Sequence, residues 1–335
     1  MSSGGLRDEL DCLLNECAHF ALDARGTTNH CPMTLVALAN MRATPERLRA
    51  HFDFWRKKYA LDEAHARMSV TAENWATLIG VREAFGSLQA YFSQWVASRG
   101  AQPVIEAVLR QVPMAPATEA FHAIIRIGYG LESANASEIA AGLAAYVAAN
   151  LPSDFDLAGR DEVASVKEGF MRLSDRFCNS RWPGISITDK LRAISADPTF
   201  RDELRLPPMG PDFLDDRRRA AIGLYWQTAD FTVLHMVTGT YAARLLLTQI
   251  PADLAERFYP ALWVAIAAAY VSVGAPREES VAIPEHVVEW DDILAQAILA
   301  DDDHVIKMVY TCHAESLAAP NPLYRAAAAR LLVRA

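Results

Sequence analysis

Apolar residues recur at three- and four-residue spacing along nearly the whole chain, and strand-type alternation is almost absent. That period puts apolar side chains on one stripe of a helix, so such a chain must fold by packing helices on helices. Hydrophobic residues fill 52% and charged residues 22% of the 335 positions, enough for a sizeable core and too apolar for a disordered chain. Boundary signals support the pattern. Pro32 stands where a first helical residue would, with a helix to about Met41, and Thr44 caps a helix that starts at Pro45 and runs to about Tyr59. Further helices are expected over 6–23, from Thr71 to a stop at Gly100, and over 103–111, 117–131, 137–150 and 161–177. Beyond a Pro/Gly-rich stretch at 206–212 they continue over 216–249, 252–273, 290–300, 303–318 and 322–333. Other breaks fall at 151–160, 181–189 and 274–284, and no fixed-period repeat is visible. The expectation is an all-α fold, a large single-domain multi-helix bundle over 1–335, with 206–212 as the place where two lobes could part.

Several classes are disfavoured. Lys+Arg number 32 against 41 Asp+Glu, a net charge of -9 without a basic face, so nucleic acid is not an expected partner. Five cysteines without a CxxC pair fit neither a zinc ribbon nor a disulfide scaffold and suit a reducing compartment. The start lacks a basic segment followed by an apolar one, and the uncharged run 258–275 is interrupted by Pro260 and ended by Gly274. A buried helix, no membrane and a cytoplasmic protein are expected. GxGxxG, P-loop and GxSxG motifs are missing. Glu16 with His19 and Asp62 with His65 are lone pairs where a di-iron bundle needs two ExxH repeats.

What remains is a patterned set of polar residues on apolar helices. At about 100° per residue, His122, Arg126 and Tyr129 share one face of a segment otherwise made of Ala and Ile. Thr228, Thr232, His235 and Thr238 line one side of another, and neutral hydroxyls around a histidine look unlike a solvated face. His304, Lys307, Thr311 and Glu315 align after Asp301, Asp302 and Asp303, which suit a helix N-terminus. Lys307 is one of only five lysines. His30 precedes the helix that begins near Pro32, close to free N–H groups that favour anionic oxygen. Taken singly, each of these could equally be a surface stripe, a loop residue or a hydrogen-bonded core residue. His19, His51, His65 and His286 show less pattern and read as surface or capping residues.

These four segments, Asn29-His30, Phe121 to Glu132, Phe231 to Gly239 and His304 to Tyr310, resemble in order the questin oxidase-like family. With the Trp75 region between them, the resemblance spans roughly residues 10 to 315. One departure is that Met33 and Thr34 stand where the family often carries further histidines. The resemblance implies Baeyer–Villiger-type oxygenation of an aromatic polyketide or hydroquinone, as in fungal anthraquinone pathways, without a flavin. It places His30, His122, Arg126, His235, His304 and Lys307 in one pocket. His235 and His304 would accept a phenolic proton. Arg126 and Lys307 would stabilise negative charge, His122 and His30 would orient the phenols, and Tyr129, Thr232 and Thr238 would contact substrate. No metal and no tightly bound cofactor is expected, with O2 as co-substrate and NADPH as an implied loose reductant. Three alternatives stay open: a metal-dependent oxygenase using several of the histidines, a non-catalytic aromatic-binding protein, and a helical interaction scaffold. Substrate and oligomeric state are not legible.

Overall fold

The computed structural model describes residues 3–61, 63–153, 159–209 and 212–334. It is all-α. The N-terminal part consists of α1 (Ser3–Cys17), a small antiparallel hairpin of β1 (Asp23–Ala24) and β2 (Thr27–Thr28), α2 (Cys31–Asn40) and α3 (Pro45–Tyr59). Then come α4 (Phe85–Arg99), α5 (Ala101–Gln111), α6 (His122–Glu132), α7 (Ala136–Ala148), α8 (Val166–Phe177), α9 (Ile187–Ala196) and α10 (Pro198–Glu203). The rest is α11 (Phe213–Thr228), α12 (Phe231–Leu247), α13 (Ala252–Ser272), α14 (Trp290–Leu299), α15 (Asp303–Ala318) and α16 (Pro322–Arg334).

The caps read from sequence hold. Thr44 accepts a hydrogen bond from the Arg47 amide, Pro32 lies in the first turn of α2, and Gly100 closes α4 with φ 83°. The differences have local causes. The first helix stops at Cys17, because the chain then turns into the hairpin through Gly26 at φ 71°. The stretch after Thr71 forms only short 3₁₀ turns, Trp75–Leu78 and Arg82–Ala84, before α4. The expected 216–249 helix is two helices: Ala229 adopts a left-handed φ of 49° and Asp230 caps α12 through the Thr232 amide. Helices α9 and α10, not expected, are capped by Ser186 and Asp197. Asp62, residues 154–158 and residues 210–211 lie outside the described residues, so part of the 151–160 and 206–212 breaks does too.

One hydrophobic core runs through helices from both sides of 206–212, with α12 packed on α6, α15 on α2 and α13 on α5 and α8. The 258–275 run lies in α13 as far as Ser272 and leaves the helix at Val273, and the residues from Ala261 to Val271 are all buried against protein. No helix among the described residues is long and apolar enough to cross a membrane.

Candidate active site: a ring of four histidines

Four helices carry the site, and their order follows from ring contacts. His30 lies 4.6 Å from His122, His122 4.7 Å from His235, His235 5.2 Å from His304 and His304 4.6 Å from His30, centroid to centroid. The ring therefore closes in the order α2, α6, α12, α15, and each of these helices packs on the next. Each histidine sits near its helix start: His30 caps α2, His122 is first in α6, His304 second in α15 and His235 fifth in α12. Further along the same helices the chain elements meet again, since Asn40 at the end of α2, Glu132 at the end of α6, Tyr241 in α12 and Tyr310 in α15 are hydrogen-bonded together. The four helices thus run parallel, with four N-termini around one point and their partial positive charge facing it.

The backbone before α6 is bent to make this possible. Glu119, Ala120 and Phe121 all have positive φ, 54°, 54° and 71°. A left-handed non-glycine residue costs about 1–2 kcal/mol, so neighbours must hold the turn. Arg82 does so, donating to both Glu119 carboxylate oxygens (2.7 and 3.1 Å) and to Asp23 of the hairpin. Phe121 packs on Gly239 of α12, where a Cβ would lie 2.8 Å from its ring.

The rings are fixed from behind. His122 Nδ1 is 2.5 Å from the Glu119 carbonyl and His235 Nδ1 is 2.8 Å from the Phe231 carbonyl. A carbonyl only accepts, so both Nδ1 atoms carry the proton and Nε2 is left as a lone-pair donor. Carboxylates stand behind the other two: Asp303 Oδ2 is 3.6 Å from His30 Nδ1, and Asp302 Oδ1 is 3.7 Å from His304 Nδ1. The four ligand nitrogens lie within 4.8 Å of one another. His304 Nε2 is buried without a hydrogen-bond partner, and the Nε2 atoms of His30 and His122 face each other at 2.7 Å. The Thr27 and Thr28 hydroxyls also reach His30, at 3.2 to 3.4 Å.

Electrostatics keep the ring neutral. Burial holds His30, His122 and His235 well below the usual imidazole range and lowers His304, with the Lys307 charge adding to all four. Burial also brings Lys307 down to about 8, against the pull of Asp303 and Asp302. Neutral imidazoles backed by carbonyls and carboxylates form the donor set that first-row transition metals favour. His30, His122, His235 and His304 fit such an ion.

The structure brings together five of the residues singled out from sequence: the four histidines and Lys307. Arg126 is engaged elsewhere, in a buried two-pronged pair with Glu138 of α7 at 2.7 and 3.0 Å. The Tyr129 hydroxyl bonds Thr311 at 3.2 Å. Thr238 donates to the Leu234 carbonyl of its own helix (3.2 Å), and Thr232 lies in the first turn of α12, its amide held by Asp230. His51, read as a surface or capping residue, is fully buried, with Nε2 3.4 Å from Asp303. Sequence reasoning also passed over Phe231, whose ring is half exposed yet lies edge-on, 4.6 Å from both His235 and His304. Its position directly after a capping Asp was the available signal. A surface groove of about 750 Å3 lined by Phe170, Trp226 and Tyr270 contains none of the four histidines.

Fold and centre together define a class: a helical protein whose inward histidines converge from four parallel helix starts. The family model described as questin oxidase-like matches residues 27–222 and 220–312, most of the chain and all of the ring. The chain belongs to that family, and membership points to an oxidase. No curated protein matches the chain.

Proposed function

We propose that this chain is a metal-dependent oxygenase that acts on an electron-rich aromatic, a hydroquinone or related polyphenol. The observation that carries the reading is the donor geometry: four ligand nitrogens within 4.8 Å, with Nδ1 of each ring set against a carbonyl or a carboxylate. An iron or copper ion held there would supply the one-electron contact with O2 that a closed-shell aromatic makes only slowly. The protein does the rest. Phe231, half exposed against two of the rings, gives an arriving aromatic an edge or face to pack on. Lys307 places a cation beside the ring, where a phenolate oxygen would be stabilised in a buried setting. The four helix starts add to the same positive field.

Oxygen insertion of the Baeyer–Villiger type, without a flavin, is the proposed outcome: one oxygen atom enters the ring system and the other leaves as water, with two electrons from NADPH. A second reading rests on the same side chains. With their pKa lowered, His235 and His304 are free bases at neutral pH and could take a phenolic proton without any metal. Metal analysis of untagged protein, combined with O2 uptake and product mass on quinols, separates the two. The metal-dependent reading expects stoichiometric iron or copper that is lost in His30→Ala and His235→Ala, and uptake that follows metal content. Full uptake by metal-free protein would overturn it and leave the histidine base.

A further inference from the structure

Below the histidine ring the same helices build a second polar layer. Each of three helices carries a tyrosine six or seven residues after its histidine: His122 and Tyr129, His235 and Tyr241, His304 and Tyr310. At ~1.5 Å rise per residue that is about 10 Å further along the bundle. The three phenol rings form a near-equilateral triangle with centroids 5.9, 6.0 and 6.0 Å apart. Tyr241 donates to Glu132 Oε1 at 2.5 Å, Tyr310 donates to the same oxygen, and the two hydroxyls lie 3.2 Å apart. Asn40, exposed at the end of α2, donates to the Tyr310 hydroxyl at 2.8 Å. The other oxygen of Glu132 is buried without a partner.

Phenylalanine would fill this layer without the cost of burying hydroxyls and a carboxylate. Instead, two oxidisable phenols share one proton acceptor, two helical turns from the histidine ring and next to an exposed end. From this geometry we infer that Tyr129, Tyr241, Tyr310 and Glu132 form a proton-coupled electron relay between the histidine site and the surface. The inference rests on the redox reading of that site.

The proton stays within the relay, and the electron passes to the metal ion the histidines would hold, after O2 has oxidised that ion. Tyr241 or Tyr310 gives one electron to the oxidised site, and its O–H proton moves to the Glu132 carboxylate along the existing hydrogen bond. The products are a neutral phenoxyl radical and a carboxylic acid. A one-electron donor of the quinol class at the Asn40 end returns the electron, and Glu132 returns the proton. The relay would discharge the site when O2 has reacted and no substrate is present. Burial raises the pKa of all three phenols, so each keeps its proton until it is oxidised.

Two arms test it. In the first, metal-free protein is flash-oxidised by a soluble ruthenium polypyridyl photo-oxidant, frozen, and read by electron paramagnetic resonance. A long-lived phenoxyl signal is expected, reduced in Tyr241→Phe and in Tyr310→Phe and lost in the double variant and in Glu132→Gln. Far-UV circular dichroism checks that each variant is folded. An unchanged signal in folded variants would overturn the relay. In the second arm, ferrous-loaded protein meets O2 without substrate, and the same signal with the same variant dependence is expected. Bound iron with no phenoxyl would overturn the link to the site. Failure of both iron and copper to bind, seen by metal analysis, would defeat the proposed function instead, and the photochemical arm would still decide the relay.

Discussion

Arg126 offers the sharpest test, because sequence and structure give it different work. On its helix it shares a face with His122, and the family resemblance makes it a stabiliser of substrate charge. In the fold it donates from Nε and Nη2 to both oxygens of Glu138, and the two side chains are 3% and 2% exposed. Its remaining nitrogen, Nη1, is buried without a partner. Removing one member of such a pair strands the other charge in the interior, which costs about 3–5 kcal/mol, whereas replacing both by apolar residues is often near neutral. At ~2.1 cal/mol/K per residue the unfolding entropy of this chain is about 0.7 kcal/mol/K, so either single variant should lower Tm by roughly 4–7 °C. Arg126→Met and Glu138→Gln should show that loss in a thermal melt, and Arg126→Met/Glu138→Leu should recover most of it. O2 uptake per folded molecule, measured well below Tm, should stay within a few-fold of the parent. A drop of orders of magnitude in Arg126→Met at unchanged Tm would refute the reasoning and return Arg126 to the reaction.

Three further outcomes follow from the same geometry. Asp303→Asn removes the carboxylate behind His30, which also lies 3.4 Å from buried His51, so metal affinity should fall about 10–100-fold in a competition titration while the helical content is kept. Phe231→Ala takes away the half-exposed ring beside His235 and His304, and should raise KM for an aromatic substrate with a smaller change in kcat and none in metal content. Gly239→Ala puts a Cβ 2.8 Å from the Phe121 ring; overpacking of this kind costs about 1–3 kcal/mol, and because Phe121 precedes His122 a melt should be accompanied by weaker metal binding. A stable Gly239→Ala with normal metal binding would show that the 119–121 turn is not braced from α12.

The fold class was legible because helical periodicity is a local property, and so were the ends marked by Thr44, Pro32, Asp303 and Gly100. What failed was local geometry set by distant partners. Nothing in the composition of 117–121 announces three left-handed residues, since they are held by Arg82 from another segment and by Phe121 against Gly239. The division at Ala229 and Asp230 did have a sequence sign, an Asp able to cap, but the apolar period runs through it almost unbroken. The hairpin at 23–28 is too short to show alternation.

The four histidines of the ring were legible in sequence, and the structure shows how they come together. His30, His122, His235 and His304 look like unrelated irregularities in four apolar stretches until the helices are seen to start side by side. A histidine near each start can then turn Nδ1 back onto a carbonyl or carboxylate at the helix entrance and leave Nε2 for the centre. That arrangement needs parallel helices, which short loops cannot connect, and every pair of the four is indeed separated in sequence by intervening helices. The charged residues were harder to place. Arg126 and Lys307 look alike in sequence, each a cation on an apolar helix within four residues of a histidine. Glu138 neutralises the first from a neighbouring helix, while the second keeps company with the ring and loses proton affinity down to about 8. Only the packing of α7 against α6 distinguishes them, and that is a tertiary fact.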